Sequence, residues 1–105
     1  MGVIFFNSAS GRSPPLDFLR ALEADDRAYI LSDLQRLERE GDKAPISKKP
    51  IKGHKPMWEV RTGGYRTFFV RQGEAFTVLH VCKKQDQRRG IEVAATRMKH
   101  VLGGG

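Results

Sequence analysis

Trp58-Glu59-Val60-Arg61-Thr62-Gly63-Gly64-Tyr65-Arg66-Thr67-Phe68-Phe69-Val70 opens a stretch that continues through Val78-Leu79-His80-Val81-Cys82-Lys83-Lys84. β-Branched and aromatic residues mark three strands in it, at Met57 to Arg61, Tyr65 to Arg71 and Ala75 to Cys82. Gly63-Gly64 suits a two-residue turn whose backbone favours glycine, and Gln72-Gly73-Glu74 suits a second turn. The three strands therefore form an antiparallel meander. With Gly63-Gly64 as the turn, Thr62 faces Tyr65 and Arg61 faces Arg66. Two arginines directly opposite on one face repel each other, and folding alone gives no reason to choose that pair.

Upstream, Val3 to Phe6 reads as a short strand and Asn7 to Ser13 as a polar loop. Ser13-Pro14 is a helix start, with the serine accepting from an orphan amide and the proline in the first turn. Leu16, Leu19 and Leu22 then repeat at helical spacing. Ala24-Asp25-Asp26 reads as a break and a new cap. Ile30, Leu31, Leu34 and Leu37 mark a second helix that Gly41 ends. The two helices are expected to form an antiparallel hairpin. Asp42 to Pro56 reads as a loop, because its three prolines oppose helix and a central strand. Downstream, Asp86 to Leu102 is a final helix with Ile91, Ala94, Ala95, Met98, Val101 and Leu102 on its buried stripe. The expected fold is α+β, with a short N-terminal strand, helical hairpin, β-meander and C-terminal helix. It makes one domain over residues 1–102, with 103–105 a flexible glycine tail.

The 105 residues carry a net charge of +7, unevenly placed. Residues 1–40 hold five Lys/Arg against seven Asp/Glu, and residues 41–105 hold fourteen against five. A basic C-terminal two-thirds points to a polyanion such as nucleic acid, or else to a merely soluble basic surface. Cys82 is the only cysteine, so there is no disulfide framework and no thiolate zinc site, and it reads as a small packed residue. No segment approaches the roughly 20 apolar residues that span a bilayer, and Val3 to Phe6 is too short for a signal-peptide core. A cytoplasmic protein without membrane partners is the expectation.

The chain has no phosphate-binding Gly-Lys-Ser/Thr loop, no dinucleotide fingerprint and no serine elbow. Carboxylates are scarce in the basic half, which argues against a two-metal nuclease. His54, His80 and His100 lack ligand spacing, so neither a metal nor another cofactor is expected. His80, inside an apolar run, reads as a satisfied sheet residue. His100 lies near a helix C-terminus, where a cation suits the dipole. A bound phosphate would relieve the Arg61–Arg66 repulsion and accept their forked donors, although solvent or the carboxylates of Glu59 and Glu74 would serve equally. Lys83 and Lys84, at a strand end, can bind phosphate or carry a proton. Lys48, Lys49, Lys52 and Lys55 make the 42–56 loop either a solvated linker or a basic arm beside a groove. Metal-free cleavage of RNA is open to such a set, because the 2′-hydroxyl is an internal nucleophile.

The order of elements, with Trp58-Glu59-Val60-Arg61, Tyr65-Arg66-Thr67-Phe68-Phe69 and the Val78 to Lys84 run before a helix with Ala94, Ala95 and Arg97, resembles the RelE/ParE toxin superfamily. Within it the chain is most similar to the phage-derived Gp49-like, HigB-type toxins. The resemblance implies a RelE-like fold and the toxin of a type II toxin–antitoxin system. It implies a metal-independent, ribosome-dependent mRNA endoribonuclease that inhibits translation, with a helix-turn-helix antitoxin, the ribosome and mRNA as partners. It places Arg66 and Arg61 at the scissile phosphate and Lys83 or Lys84 at phosphate binding or proton transfer. His100 substitutes for a missing acid/base, since Gly90-Ile91 stands where some members carry a tyrosine. Met57 and Glu59 replace lysines of RelE-like enzymes. Lys48, Lys49, Lys52, Lys55, Arg88 and Arg89 would grip the RNA backbone. The alternatives are a ParE-like DNA gyrase inhibitor and a catalytically silent RNA- or protein-binding module of the same fold.

Overall fold

The computed structural model describes residues 2–103. Five strands form one sheet: β1 (Gly2–Phe5), β2 (Lys48–Pro50), β3 (Trp58–Thr62), β4 (Tyr65–Gln72) and β5 (Ala75–Lys83). Three helices cover it: α1 (Pro14–Ala21), α2 (Ala24–Glu40) and α3 (Gln87–Gly103). The strand order is β1-β5-β4-β3-β2, with β1 parallel to β5 and every other pair antiparallel. The meander is as the sequence predicts, down to the facing of Thr62 with Tyr65 and of Arg61 with Arg66.

Alternation along the strands sends residues to two apolar layers. Leu19 of α1 and Ile30, Leu34 and Leu37 of α2 bury against Val60, Phe69, Phe76, Val78 and Val81 on one face. Ala94 and Met98 of α3 bury against Phe68, Val70, Leu79 and Cys82 on the other. A bulge shifts the β4–β5 register so that Phe68 pairs with His80 and Phe69 with Val78. Leu79 is the extra residue, and with His80 it lies toward α3.

Several local expectations are corrected. The 42–56 segment is not all loop. Gly41–Lys43 is a 3-10 turn, and Lys48–Pro50 adds an edge strand to β3, where a proline's missing N–H costs no central ladder bond. Ser13 precedes α1 without capping it, because its hydroxyl donates to the Phe6 carbonyl at 2.9 Å. The helix break falls at Leu22 and Glu23, so Asp25 and Asp26 occupy the first turn of α2, where carboxylates suit the dipole. The last helix begins at Gln87, after a 3-10 turn at Lys84–Asp86, and runs through Gly103. Gly104 and Gly105 of the expected tail lie outside the described residues.

Candidate nucleic-acid interface

The first hairpin and the start of α3 meet at one end of the sheet. Arg61 and Arg66, register partners, project to the α3 face, as does Glu59 two residues before Arg61. The two arginines are held differently. Arg66 is 6% exposed. Its Nη1 donates to the carbonyls of Gly63 (3.0 Å) and Tyr65 (2.9 Å), so it ties down its own turn. Its buried Nε has no partner. Arg61 keeps 40% of its side chain exposed, and only its Nε is engaged, donating to Glu59 Oε2 at 2.9 Å. Its terminal nitrogens meet no acceptor among the described residues. The anticipated neutralisation by Glu59 thus occurs at Arg61, whereas Glu74 lies at the opposite end of β4, in the turn to β5.

Glu59 itself is fully buried, and Gln87 Nε2, in the first residue of α3, donates to its other oxygen. Cys82 pairs with Arg66 across β4–β5. Burial pushes its thiol up to about 11, with Asp86 and Glu59 adding and Arg66 opposing. It is a packed thiol, as its apolar run implies.

The predicted lysines divide. The Lys84 amide donates to the Gly64 carbonyl at 2.7 Å, which fixes that exposed residue beside the first turn. Lys83 pairs with Tyr65 and so shares the opposite face, where the Tyr65 hydroxyl donates to Asp26 at 2.8 Å. That bond raises the phenol's pKa. Lys49 pairs with Glu59 and shares the α3 face with Arg61. Lys48 pairs with Val60 on the other face, donates to the Asp42 carbonyl and lies 5.9 Å from the Trp58 ring centre. Lys52 is exposed in the turn after β2. Lys55 borders a hollow with Met98, Lys99 and Leu102 at the far end of α3. Arg88 and Arg89 are exposed in the first turn of α3, where the helix dipole disfavours cations. His100 is on the same helix but thirteen residues beyond Gln87, about 20 Å along the axis, so it is not brought to the arginines.

Sequence reasoning anticipated Glu59 against the arginines but missed Gln87, which completes the link to α3. It also missed Arg97, whose guanidinium donates to the Leu79 carbonyl (2.8 Å), meets His80 Nδ1 (3.1 Å) and lies over the Phe6 ring. Burial, then Arg97, lowers the His80 pKa to about 4. A hollow of about 460 Å³ lined by His80, Cys82, Asp86, Arg89, Gly90 and Arg97 adjoins this pair. A second, of about 500 Å³, lies on the opposite face and presents Asp26, Tyr29 and Asp33, which suit no phosphate. Among the described residues, no group of three or more His, Cys, Asp or Glu could hold a metal ion, and no helix is long and apolar enough to cross a membrane.

Comparison with known proteins bears on the family and the fold. The model of the phage-derived Gp49-like proteins (DUF891) matches residues 17–99. No curated protein matches the chain. A chain of the RelB–RelE antitoxin–toxin complex from Methanococcus jannaschii superposes with a TM-score of 0.64 at 15% identity, over 82% of this chain and 95% of that one. A chain of the archaeal RelE–RelB complex from Pyrococcus horikoshii OT3 gives 0.56 at 16% identity, over 80% and 97%.

Proposed function

Because the chain belongs to the phage-derived Gp49-like family and is built on the RelE fold, we propose that it is the toxin of a type II toxin–antitoxin pair, acting as a ribosome-dependent mRNA endoribonuclease in the cytoplasm. The observation that carries this reading is Arg61: a guanidinium anchored through Nε, with its fork of terminal donors open, facing Arg66 in register and sharing its face of the sheet with Lys49. Among the described residues only Arg61 and Arg71 form ion pairs, so this basic end is uncompensated except at Arg61.

In this reading the RNA 2′-hydroxyl gives its proton to solvent as its oxygen attacks the adjacent phosphorus, and the 5′-oxygen leaves and takes up a proton, giving a 2′,3′-cyclic phosphate and a 5′-hydroxyl end. Arg61 binds the non-bridging oxygens through two parallel donors and stabilises the charge that develops there. Arg66 holds the turn that presents Arg61 and Lys84, and contributes positive charge behind the phosphate. Lys84 binds phosphate or supplies the proton that the 5′-oxygen takes up. The ribosome positions the mRNA, which would explain why this end of the sheet assembles cations but brings no histidine to them. Both superposed chains come from toxin–antitoxin complexes, which supports an antitoxin as the partner; in this reading it is of the helix-turn-helix kind and covers the basic end.

The distance of His100 from the arginines favours one other reading, an inhibitor of the same fold, such as one acting on DNA gyrase, that cleaves nothing. One experiment separates the two. Wild type, Arg61→Ala and Lys84→Ala are expressed under control, with growth followed and 5′ ends of cellular mRNA mapped. Arrest with new cuts in translated mRNA, weakened in both variants, is the expected result. Arrest with intact mRNA overturns the ribonuclease reading in favour of the inhibitor.

A further inference from the structure

Glu59 is an acid in the middle of a basic end, and the chemistry above gives it no part. It is wholly buried, and both of its oxygens are engaged: Oε2 by Arg61 Nε at 2.9 Å, Oε1 by Gln87 Nε2. A carboxylate so enclosed cannot reach a 2′-hydroxyl, so it is no base. Nor does core packing explain it, since an apolar residue would fill the position without an ion to desolvate. What it does is mechanical. It grips Arg61 by the one nitrogen that phosphate does not need and leaves the planar fork free. Its second bond fastens that grip to the first residue of α3, directly after the Lys84–Asp86 turn and before Arg88. Glu59 also sets a negative charge beside two arginines that face each other in register.

We infer that Glu59 is a positioning residue for anion binding: it fixes the Arg61 fork and ties β3 to the start of α3, so that cations on two elements meet one RNA phosphate. This rests on the reading of the basic end as an RNA site.

The sign of one measurement separates this role from simple charge. Removing an acid from a basic surface should tighten RNA binding by Coulomb attraction alone. If Glu59 positions Arg61, Glu59→Gln should weaken it, by about tenfold, the scale of one charge-assisted hydrogen bond. Arg61→Lys is the second variant, because lysine keeps the charge but cannot be held at one nitrogen while presenting a fork. It alters an exposed residue, so its folding is not at risk. The affinity of a labelled single-stranded RNA oligonucleotide is measured for wild type, Glu59→Gln, Arg61→Lys and the double variant, with cleavage of translated mRNA followed in parallel. Both single variants should bind more weakly, and Glu59→Gln should cost clearly less on top of Arg61→Lys than alone. Tighter binding by Glu59→Gln, or an equal cost in both backgrounds, overturns the inference. If Glu59→Gln does not fold, unchanged binding by Arg61→Lys overturns it. Coupled binding losses without any cleavage by wild type would remove the ribonuclease and leave the positioning role standing.

Discussion

Gly90 approaches Cys82 so closely that a Cβ on the glycine would lie 2.7 Å from the Cys82 sulfur. The same atom would sit 3.1 Å from Phe68 and 3.2 Å from His80. The helix reaches the sheet here because position 90 has no side chain. This explains why a tyrosine, which the family resemblance leads one to look for at this point of the last helix, cannot stand in this chain without lifting α3. Two effects oppose each other in Gly90→Ala. Alanine gains about 1 kcal/mol of helix propensity. Overpacking a buried contact costs about 1–3 kcal/mol. The clash falls on a short side chain within the core, so a net loss of about 1 kcal/mol is expected in urea unfolding. Cys82→Ala added to Gly90→Ala should recover most of it.

His80 predicts a particular dependence of stability on pH. Its pKa of about 4 in the fold lies below the ordinary 6.5, so the unfolded chain binds the proton more readily. Stability is therefore complete above pH 6.5 and falls as pH drops toward 4. The ring is only partly buried, so after discounting for solvent the loss should be about 1–2 kcal/mol. Carboxylates titrate in the same range, and a comparison isolates the histidine. Unfolding free energies of wild type and His80→Gln at pH 7.5 and 5 should converge at the lower pH, wild type losing more. Equal losses would mean that Arg97 and burial do not hold the ring neutral.

The meander was legible because each of its signals is local: Gly63-Gly64, the aromatic and β-branched runs, and the register that follows from the turn length. The parallel docking of β1 on β5 was not, because nothing within Gly2–Phe5 encodes which strand it joins. The edge strand Lys48–Pro50 was hidden by its proline, a residue that excludes central strands and permits edge ones. At the site, the facing of Arg61 and Arg66 could be read directly, but their inequality could not. It depends on Gly63 and Tyr65 carbonyls reaching one guanidinium and on Gln87, 28 residues from Glu59, completing the hold on the other. Lys83 and Lys84 look equivalent in sequence, yet the first ends β5 opposite Tyr65 while the second opens the 3-10 turn and is tied by its amide to Gly64.

That inequality separates the effects of two alanine substitutions on stability. Arg66→Ala removes a buried side chain and frees the Gly63 and Tyr65 carbonyls, so a loss of about 1–3 kcal/mol is expected. Arg61→Ala should cost about 1–2 kcal/mol for a different reason, since it leaves the enclosed Glu59 carboxylate with Gln87 alone. Adding Glu59→Gln should therefore restore stability to Arg61→Ala but not to Arg66→Ala. Melting temperatures of the two single and two double variants check this. Failure of Glu59→Gln to rescue Arg61→Ala would show that the ion pair contributes nothing to the fold.

The salt dependence of RNA binding should map the interface more sharply than affinity does. Each phosphate neutralised by a cation releases counterions, so a lost contact lowers the slope of log K against log salt by about 0.7 for a single strand. Lys49 shares the α3 face of the sheet with Arg61, Lys84 is tied beside the hairpin turn, and Arg88 and Arg89 are exposed in the first turn of α3. Lys55 lies at the other end of that helix. Alanine at each of the first four should reduce the slope by roughly that amount, whereas Lys55→Ala should leave it unchanged even though every variant loses the same formal charge. A uniform fall across all five would mean that RNA senses only the net charge of +7, and that no localised groove exists at the arginines.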